Sequence, residues 1–427
     1  MIKQVLIRET SELRGRVEAP SSKSYTHRAI IAASLAEGRS RLNKILFCDD
    51  SIATINACSM LGASIEKEND KLLIDGTSEL TAPKEAIDCK ESGSTIRFMT
   101  PIAALAKGIT VLTGSPSLKK RPIGPLAESL EQLGVRCMSQ AGFPPVKVFG
   151  GGIKGGKTSI AGNISSQFVS GLLLACPLAE NDTEVILTTD LESRPYVELT
   201  LHVQREHSVI VKALEDFRRY SIPSGQKYKP FDHIVPGDFS SASLILSAAA
   251  VTNSNITVEN LSPRVNQPDS EIINILKSMN ANVAIGEDWI KVSGGRLRGM
   301  DVDARNIPDL VPICAVLACF AEGETNIYNA ERVRMKESDR LASISSELKK
   351  MGARITMHYD ALTVSGPSEL RGTTVDSHGD HRIAMACAVA ALAARGETKI
   401  LRAQCVGKSY PDFFEDLKSL GANLVVR

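Results

Sequence analysis

KMGARITMHYDALTVSG (350–366) reads as a helix end, a glycine stop, a strand, a turn and a second strand finishing at glycine. Glycine or asparagine just past the last helical residue is the expected left-handed stop. The same order recurs in MLGASIEKENDKLLIDG (60–76), QLGVRCMSQAGFPPVKVFG (132–150) and SMNANVAIGEDWIKVSG (278–294), and in shortened form in SLGANLVVR (419–427). The stops fall at Gly62, Gly134, Asn280, Gly352 and Gly421, spaced 72, 146, 72 and 69 residues apart. The long interval is about twice the short one. A degenerate copy is therefore expected near Val211–Tyr220, and six units of about 71 residues fill the chain.

A second landmark keeps the same phase. Polar clusters SSKSYTHR (21–28), ESGSTIR (91–97), ISSQF (164–168), GDFSSAS (237–243), IPDL (307–310) and GDHR (379–382) each precede an apolar, small-residue helix. The unit reads β-α-β-α-β-β, an α/β chain. Ser11-Glu12-Leu13-Arg14-Gly15 recurs verbatim as Ser368-Glu369-Leu370-Arg371-Gly372, which follows the strand Leu362–Ser365. The sixth unit ends one strand short at Arg427, and Lys3–Ile7 has the context of the missing strand. Two three-unit domains are expected: residues 1–19 plus 236–427, and residues 20–235. Crossings near Pro20 and Pro236 should hinge, with a ligand site in the cleft between the domains.

Composition narrows the function. The 427 residues are 43% hydrophobic and 23% charged, ordinary for a globular chain. Aromatics are 4%, so the core must be aliphatic and alanine-rich. Fifty Lys and Arg against 49 Asp and Glu leave a net charge of +1, without the basic excess of a nucleic-acid binder. The longest apolar runs, Leu310–Ala321 and Ile383–Ala394, are too short for a membrane span of about 20 residues. The N-terminus lacks a signal-peptide apolar region. Nine cysteines without a CxxC motif read as reduced and buried, the pattern of a cytoplasmic protein. His378 and His381 find no complementary Cys or His pair, so no metal site is expected.

The chemistry collects at two places in the repeat. Helix N-termini attract anions through unpaired N–H groups and partial positive charge. Lys23, Ser24, Arg28, Gly93, Arg97, Ser165, Ser166, Gln167, Asp309 and Arg382 stand at such ends. The loops before the second helices add Lys119–Pro122, Ser193–Tyr196, Arg334–Arg340 and Lys408–Pro411. Any one of these cations reads alone as a solvated charge, and Ser21, Ser92 or Ser165 as a helix cap. Their joint recurrence implies a ligand with several negative charges. Asp309 and Glu337 lie among the cations, and either can act as a general acid or base. Gly151–Thr158 matches G-x-x-x-x-G-K-[ST], but Gly162 breaks any following helix and the repeat aligns this stretch with strand connections. It is not expected to bind a nucleotide.

PSSKSYTHR, SGSTIRF, RPIGPL, SSQF, SRPY, GDFSSAS, IPDL, KESDRL, DHRIAM and KSYPDFF follow one another in the order of a known family. On these motifs the chain resembles the 5-enolpyruvylshikimate-3-phosphate synthases, among the enolpyruvyl transferases. The resemblance implies an inside-out, barrel-like α/β fold with three units in each of two domains. It also implies a cytoplasmic monomer of the shikimate pathway with neither metal nor organic cofactor. Shikimate 3-phosphate would be held by Lys23, Ser24, Arg28, Ser165, Ser166, Gln167, Ser193, Tyr196, Asp309 and Lys336. Phosphoenolpyruvate would meet Lys23, Gly93, Arg121, Arg340, Arg382 and Lys408. Asp309, Glu337 and Lys23 would be the catalytic groups. Glu91 stands where many members have asparagine. The alternatives are a UDP-N-acetylglucosamine enolpyruvyl transferase and a non-catalytic phosphometabolite binder. Most members of the first carry a loop cysteine where this chain has Pro116, and the second has no need of Asp309 and Glu337.

Overall fold

The computed structural model describes residues 4–262 and 267–427. Its strands form six four-stranded sheets, all built to one plan. In the unit that starts at Ile87–Asp88, that strand pairs in parallel with Gly108–Thr113. Gly108–Thr113 then pairs antiparallel with Phe143–Gly150, which forms a hairpin with Arg136–Gln140. The parallel step requires a crossover, and the helix Gly93–Ala103 supplies it. A second helix, Gly124–Gln132, leads into the hairpin.

The chain divides by internal contacts into Met1–Pro20 with Pro236–Arg427, and Ser21–Val235. Each part has its own hydrophobic core. The first part is closed by its N-terminal segment. Gln4–Arg8 pairs antiparallel with both Glu397–Leu401 and Leu424–Val426, completing the sixth sheet. Lys3, placed in that strand from the sequence, lies outside the described residues. Arg14–Glu18 pairs in parallel with Asn255–Glu259 and opens the fourth sheet. The second part borrows in the same way, because His233–Ile234 pairs in parallel with Gly38–Asn43.

The repeated pentapeptide has one structural role at both places. It links the closing strand of one sheet to the opening strand of the next. Arg14 N–H donates to Leu420 O at 2.9 Å, and Arg371 N–H donates to Met351 O at 2.8 Å. Leu13 and Leu370 are buried beneath the two copies.

The stops behave as read. Gly62, Gly134, Asn280, Gly352 and Gly421 have φ between +70° and +124°. The degenerate copy comprises Lys212–Leu214 and Arg219–Ile222 after the helix Arg194–Glu206. Its stop is Ser208, at φ +63°. A serine in that role hides the copy from a glycine-and-asparagine pattern.

The two helices of a unit differ in their surroundings. First helices such as Phe239–Val251, Val311–Phe320 and His381–Leu392 are buried along nearly their whole length and pack on one another. Small residues permit this. At Gly171 a Cβ would lie 2.5 Å from Arg97 O of the neighbouring first helix. Second helices such as Arg194–Glu206 and Arg340–Lys350 bury one face, the amphipathic pattern of a helix at a surface. Lys157 and Thr158 lie in the strand Gly156–Ile160 and no helix follows directly, so the phosphate-loop match fails on context.

All nine cysteines are buried and reduced. Burial pushes the thiols of Cys58, Cys176, Cys314 and Cys319 up to about 12, which keeps them protonated and inert. Among the described residues no helix is long and apolar enough to cross a membrane.

Candidate active site

Within Ser21–Val235, three helix starts carry the polar clusters. Ser22, Ser92 and Ser165 cap them, each hydroxyl accepting a backbone N–H of the first turn. The first of these caps is Ser22, not Ser21. Lys23 opens its helix and pairs with Asp50 at 3.0 Å, with Asp50 buried and Lys23 mostly so. Thr95 hydrogen-bonds the Ser92 hydroxyl and Thr54, and Thr54 contacts His27 Nδ1 at 2.7 Å, tying the first two starts together.

Gly93, Arg121 and Gln167 converge. A Cβ at Gly93 would lie 3.0 Å from Arg121 Nη1 and 3.9 Å from Gln167 Oε1. Gln167 accepts from Arg97 Nη1 at 2.8 Å and donates to the Ser94 hydroxyl at 2.7 Å. Ser166 is buried at its helix start, and Ser193 is buried as the left-handed N-cap of Arg194–Glu206.

Arg28 is buried among protein partners. Its Nε donates to Thr200 at 2.7 Å, Nη1 to Ser24 O at 2.8 Å and Nη2 to Tyr196 O at 2.9 Å. Burial lowers its pKa to about 9. Arg28 thereby joins the backbone of Ser24 to that of Tyr196.

Within Met1–Pro20 and Pro236–Arg427, the charged groups gather around Arg340, which is 1% exposed. Its guanidinium reaches Asp309 at 2.6 Å, Glu337 at 2.8 Å and Asp380 at 2.9 Å. Lys336 lies 3.5 Å and Arg382 3.9 Å from Asp309. Burial alone would raise the Asp309 pKa, but Lys336, Arg340 and Arg382 together pull it well below the usual range. Burial likewise lowers Lys336, with Asp309 opposing. The helix after Asp309 has Leu310 as its N-cap and no side-chain cap, so Asp309 does not spend its carboxylate on capping.

Arg382 donates to Ser240 O at 2.7 Å and to its hydroxyl at 2.5 Å. Lys408 donates to Gly379 O at 2.9 Å. Asp269 is buried nearby, and burial with the negative charge of Asp309 raises its pKa. Among the described residues no group of three or more His, Cys, Asp or Glu is placed to hold a metal ion.

Sequence reasoning passed over Asp50, Asp269, Ser240, Glu347 and Asp380. One signal was available. Lys23–Asp50 and Asp309–Lys336 are both 27 residues apart, each joining the start of a unit's first helix to the stretch around the start of its second. Ser240 and Asp380 stand inside the quoted clusters GDFSSAS and GDHR, but no role was read for either; Asp380 is the N-cap of its helix.

A model of the family described as EPSP synthase (3-phosphoshikimate 1-carboxyvinyltransferase) matches residues 7–417. The chain is 44% identical to a 3-phosphoshikimate 1-carboxyvinyltransferase of Methanocaldococcus jannaschii, covering 99% of each chain. It is 47% identical to one of Methanocella arvoryzae, over 97% of this chain and 98% of the other. The structure of an EPSP synthase from Acinetobacter baumannii superposes with a TM-score of 0.84 at 30% identity, over the whole of both chains. The enolpyruvyl transferase NikO from Streptomyces tendae, at 18% identity and a TM-score of 0.82 over 100% of this chain and 99% of that one, shares the fold. With its six-fold β-α-β-α-β-β plan and its motifs in family order, this chain belongs to the EPSP synthase (3-phosphoshikimate 1-carboxyvinyltransferase) family.

Proposed function

We propose that the protein transfers the enolpyruvyl group of phosphoenolpyruvate to the 5-hydroxyl of shikimate 3-phosphate and releases inorganic phosphate. The observation that carries this reading is Asp309, a carboxylate kept ionised by Lys336, Arg340 and Arg382. An ionised carboxylate surrounded by cations suits a reaction in which a hydroxyl must lose its proton beside two anionic substrates.

In the proposed addition, the 5-hydroxyl oxygen bonds to the second carbon of phosphoenolpyruvate and its proton passes to Asp309. Glu337 delivers a proton to the methylene carbon, which becomes a methyl group. In the elimination that carbon returns a proton to Glu337, the carbon–oxygen bond to phosphate breaks, and phosphate leaves with the electron pair and takes up the proton held by Asp309. Lys23 assists both steps. Shikimate 3-phosphate is held by Lys23, Ser24, Arg28, Ser165, Ser166, Gln167, Ser193, Tyr196, Asp309 and Lys336. Phosphoenolpyruvate is held by Lys23, Gly93, Arg121, Arg340, Arg382 and Lys408, the arginines suiting bidentate capture of carboxylate and phosphate.

The charge balance also gates the base. With cations uncompensated, Asp309 binds a proton poorly. Bound phosphate and carboxylate groups offset those cations and raise its proton affinity once the substrates are present. The reading takes the protein as a cytoplasmic monomer needing neither metal nor organic cofactor. Phosphate release from phosphoenolpyruvate is the test, first with shikimate 3-phosphate and then with UDP-N-acetylglucosamine. Release with the first alone is the expected result, and none with the first would end the proposal.

A further inference from the structure

Three segments carry the cations Arg340, Arg382 and Lys408: the helix Arg340–Lys350, the helix His381–Leu392 with the turn leading into it, and the short helix Ala403–Lys408. Glu347, two turns along the first of these, is fully buried and ties it to the second. Its carboxylate accepts Asp376 N–H at 3.0 Å and His378 Nε2 at 2.7 Å, besides Lys350 at 2.7 Å. Asp376 continues the tie. Its Oδ1 accepts His378 N–H at 2.8 Å and Arg402 Nε at 2.8 Å, and Arg402 caps Ala403–Lys408. Between these anchors the turn presents Gly379 O to Lys408 and Asp380 to Arg340. His378 sits at φ +53°, in the left-handed region that non-glycine residues adopt uncommonly.

A buried carboxylate with this many donors is expensive to desolvate and must be fully satisfied. A leucine would fill the same space in a helix that needed only packing. We propose that Glu347 is a positioning residue for the phosphoenolpyruvate end, setting Arg340, Arg382 and Lys408 relative to one another through His378 and Asp376. It touches no substrate. This rests on the reading that those three cations hold phosphoenolpyruvate.

Steady-state kinetics with each substrate varied will test it on wild type, Glu347→Ala, Glu347→Gln and His378→Ala. Loss of an interaction that orients binding groups should raise the KM for phosphoenolpyruvate about tenfold in Glu347→Ala, with the KM for shikimate 3-phosphate within about twofold. Glu347→Gln should recover most of the loss, since an amide oxygen still accepts from Asp376 N–H or His378. His378→Ala, at a partly exposed side chain, should raise the same KM by about threefold or more. A merely structural role would lower the active fraction or move both KM values together, and either result overturns the proposal. So would an unchanged KM for phosphoenolpyruvate in Glu347→Ala or, should that variant not fold, in His378→Ala. A wild type inactive with these substrates would instead sink the functional reading.

Discussion

Arg340 Nη1 lies 2.6 Å from Asp309 Oδ1, and the same guanidinium also satisfies Glu337 and Asp380. One buried cation thus serves three acids. Burial would lower its pKa, but Asp380, Glu337 and Asp309 raise it well above the ordinary value. Arg340→Gln strands a buried Asp380 and should cost about 3–5 kcal/mol, the scale for breaking a buried pair from one side. It should also raise the Asp309 pKa, since one of three depressing charges is gone. A depressed carboxylate stabilises the fold above its unfolded value of about 3.9 and loses that contribution as pH falls. The acidic limb of the pH–rate profile should therefore move to higher pH in the variant. Urea denaturation and the profile together check both parts, and an unmoved limb would detach Asp309 from proton transfer.

Asp309→Ala separates base from binder. Removing a general base costs about 10²-fold or more in turnover. Substrate binding should persist, because Lys336, Arg340 and Arg382 stay and lose a competitor for their charge. Isothermal titration with shikimate 3-phosphate, set beside single-turnover rates, measures each quantity. A near-wild-type rate would reassign the proton to another group.

Gly93 is fixed by a close approach, not by a left-handed backbone. A methyl there would stand 3.0 Å from Arg121 Nη1, closer than side-chain carbons ordinarily come. Gly93→Ala should displace that guanidinium by a few tenths of an ångström and raise the KM for phosphoenolpyruvate several-fold. Stability should change by less than about 1 kcal/mol, since the neighbour is the far end of a flexible side chain. Equal effects on both substrates would show that Gly93 does not select the phosphoenolpyruvate end.

Much of this was legible because repetition converts weak local signals into a strong one. Glycines that end closing strands show why the pattern survives. At Gly76, Gly150 and Gly366 a Cβ would fall 2.2 Å from the carbonyl of an alanine at, or up to three residues past, the end of the unit's first helix. No side chain fits there, so the sequence marks the spot each time. Ser208 shows the converse, since an exposed position at positive φ tolerates serine and erases the mark. At the site, the cations were legible at helix starts and in the loops before second helices, and Asp309 and Glu337 among them, whereas the partners Asp50 and Asp380 were not. Asp50 and Glu347 lie inside second helices, where an acid looks like a surface residue until packing buries it. Asp309 does not cap the helix it precedes, because the chain starts that helix two residues later, at Val311.

Buried histidines give the last prediction. His207 Nδ1 faces Lys229 O at 2.7 Å, and its Nε2 meets His233 Nε2 at 2.8 Å. A carbonyl only accepts, so His207 carries its proton on Nδ1 and accepts from His233 through Nε2. His233 Nδ1 is 3.1 Å from the Tyr25 hydroxyl, which donates to Glu206 at 2.8 Å. Burial lowers His207 to about 4, with the Lys229 carbonyl opposing. Burial, then the neighbouring His207 and His202, lowers His233 to about 3. Both rings are neutral in the fold and charge at about 6.5 when unfolded. Between pH 6.5 and 4 the unfolded chain therefore binds more protons, so stability falls with acidification by up to about 1.4 kcal/mol per pH unit for each ring. Gln in place of His207 can still donate to Lys229 O and accept from His233 while never charging. Urea unfolding of His207→Gln between pH 7 and 5 should show a shallower slope than wild type. Parallel slopes would mean that these rings already charge in the folded protein and that the chain from Lys229 to Glu206 holds an additional proton.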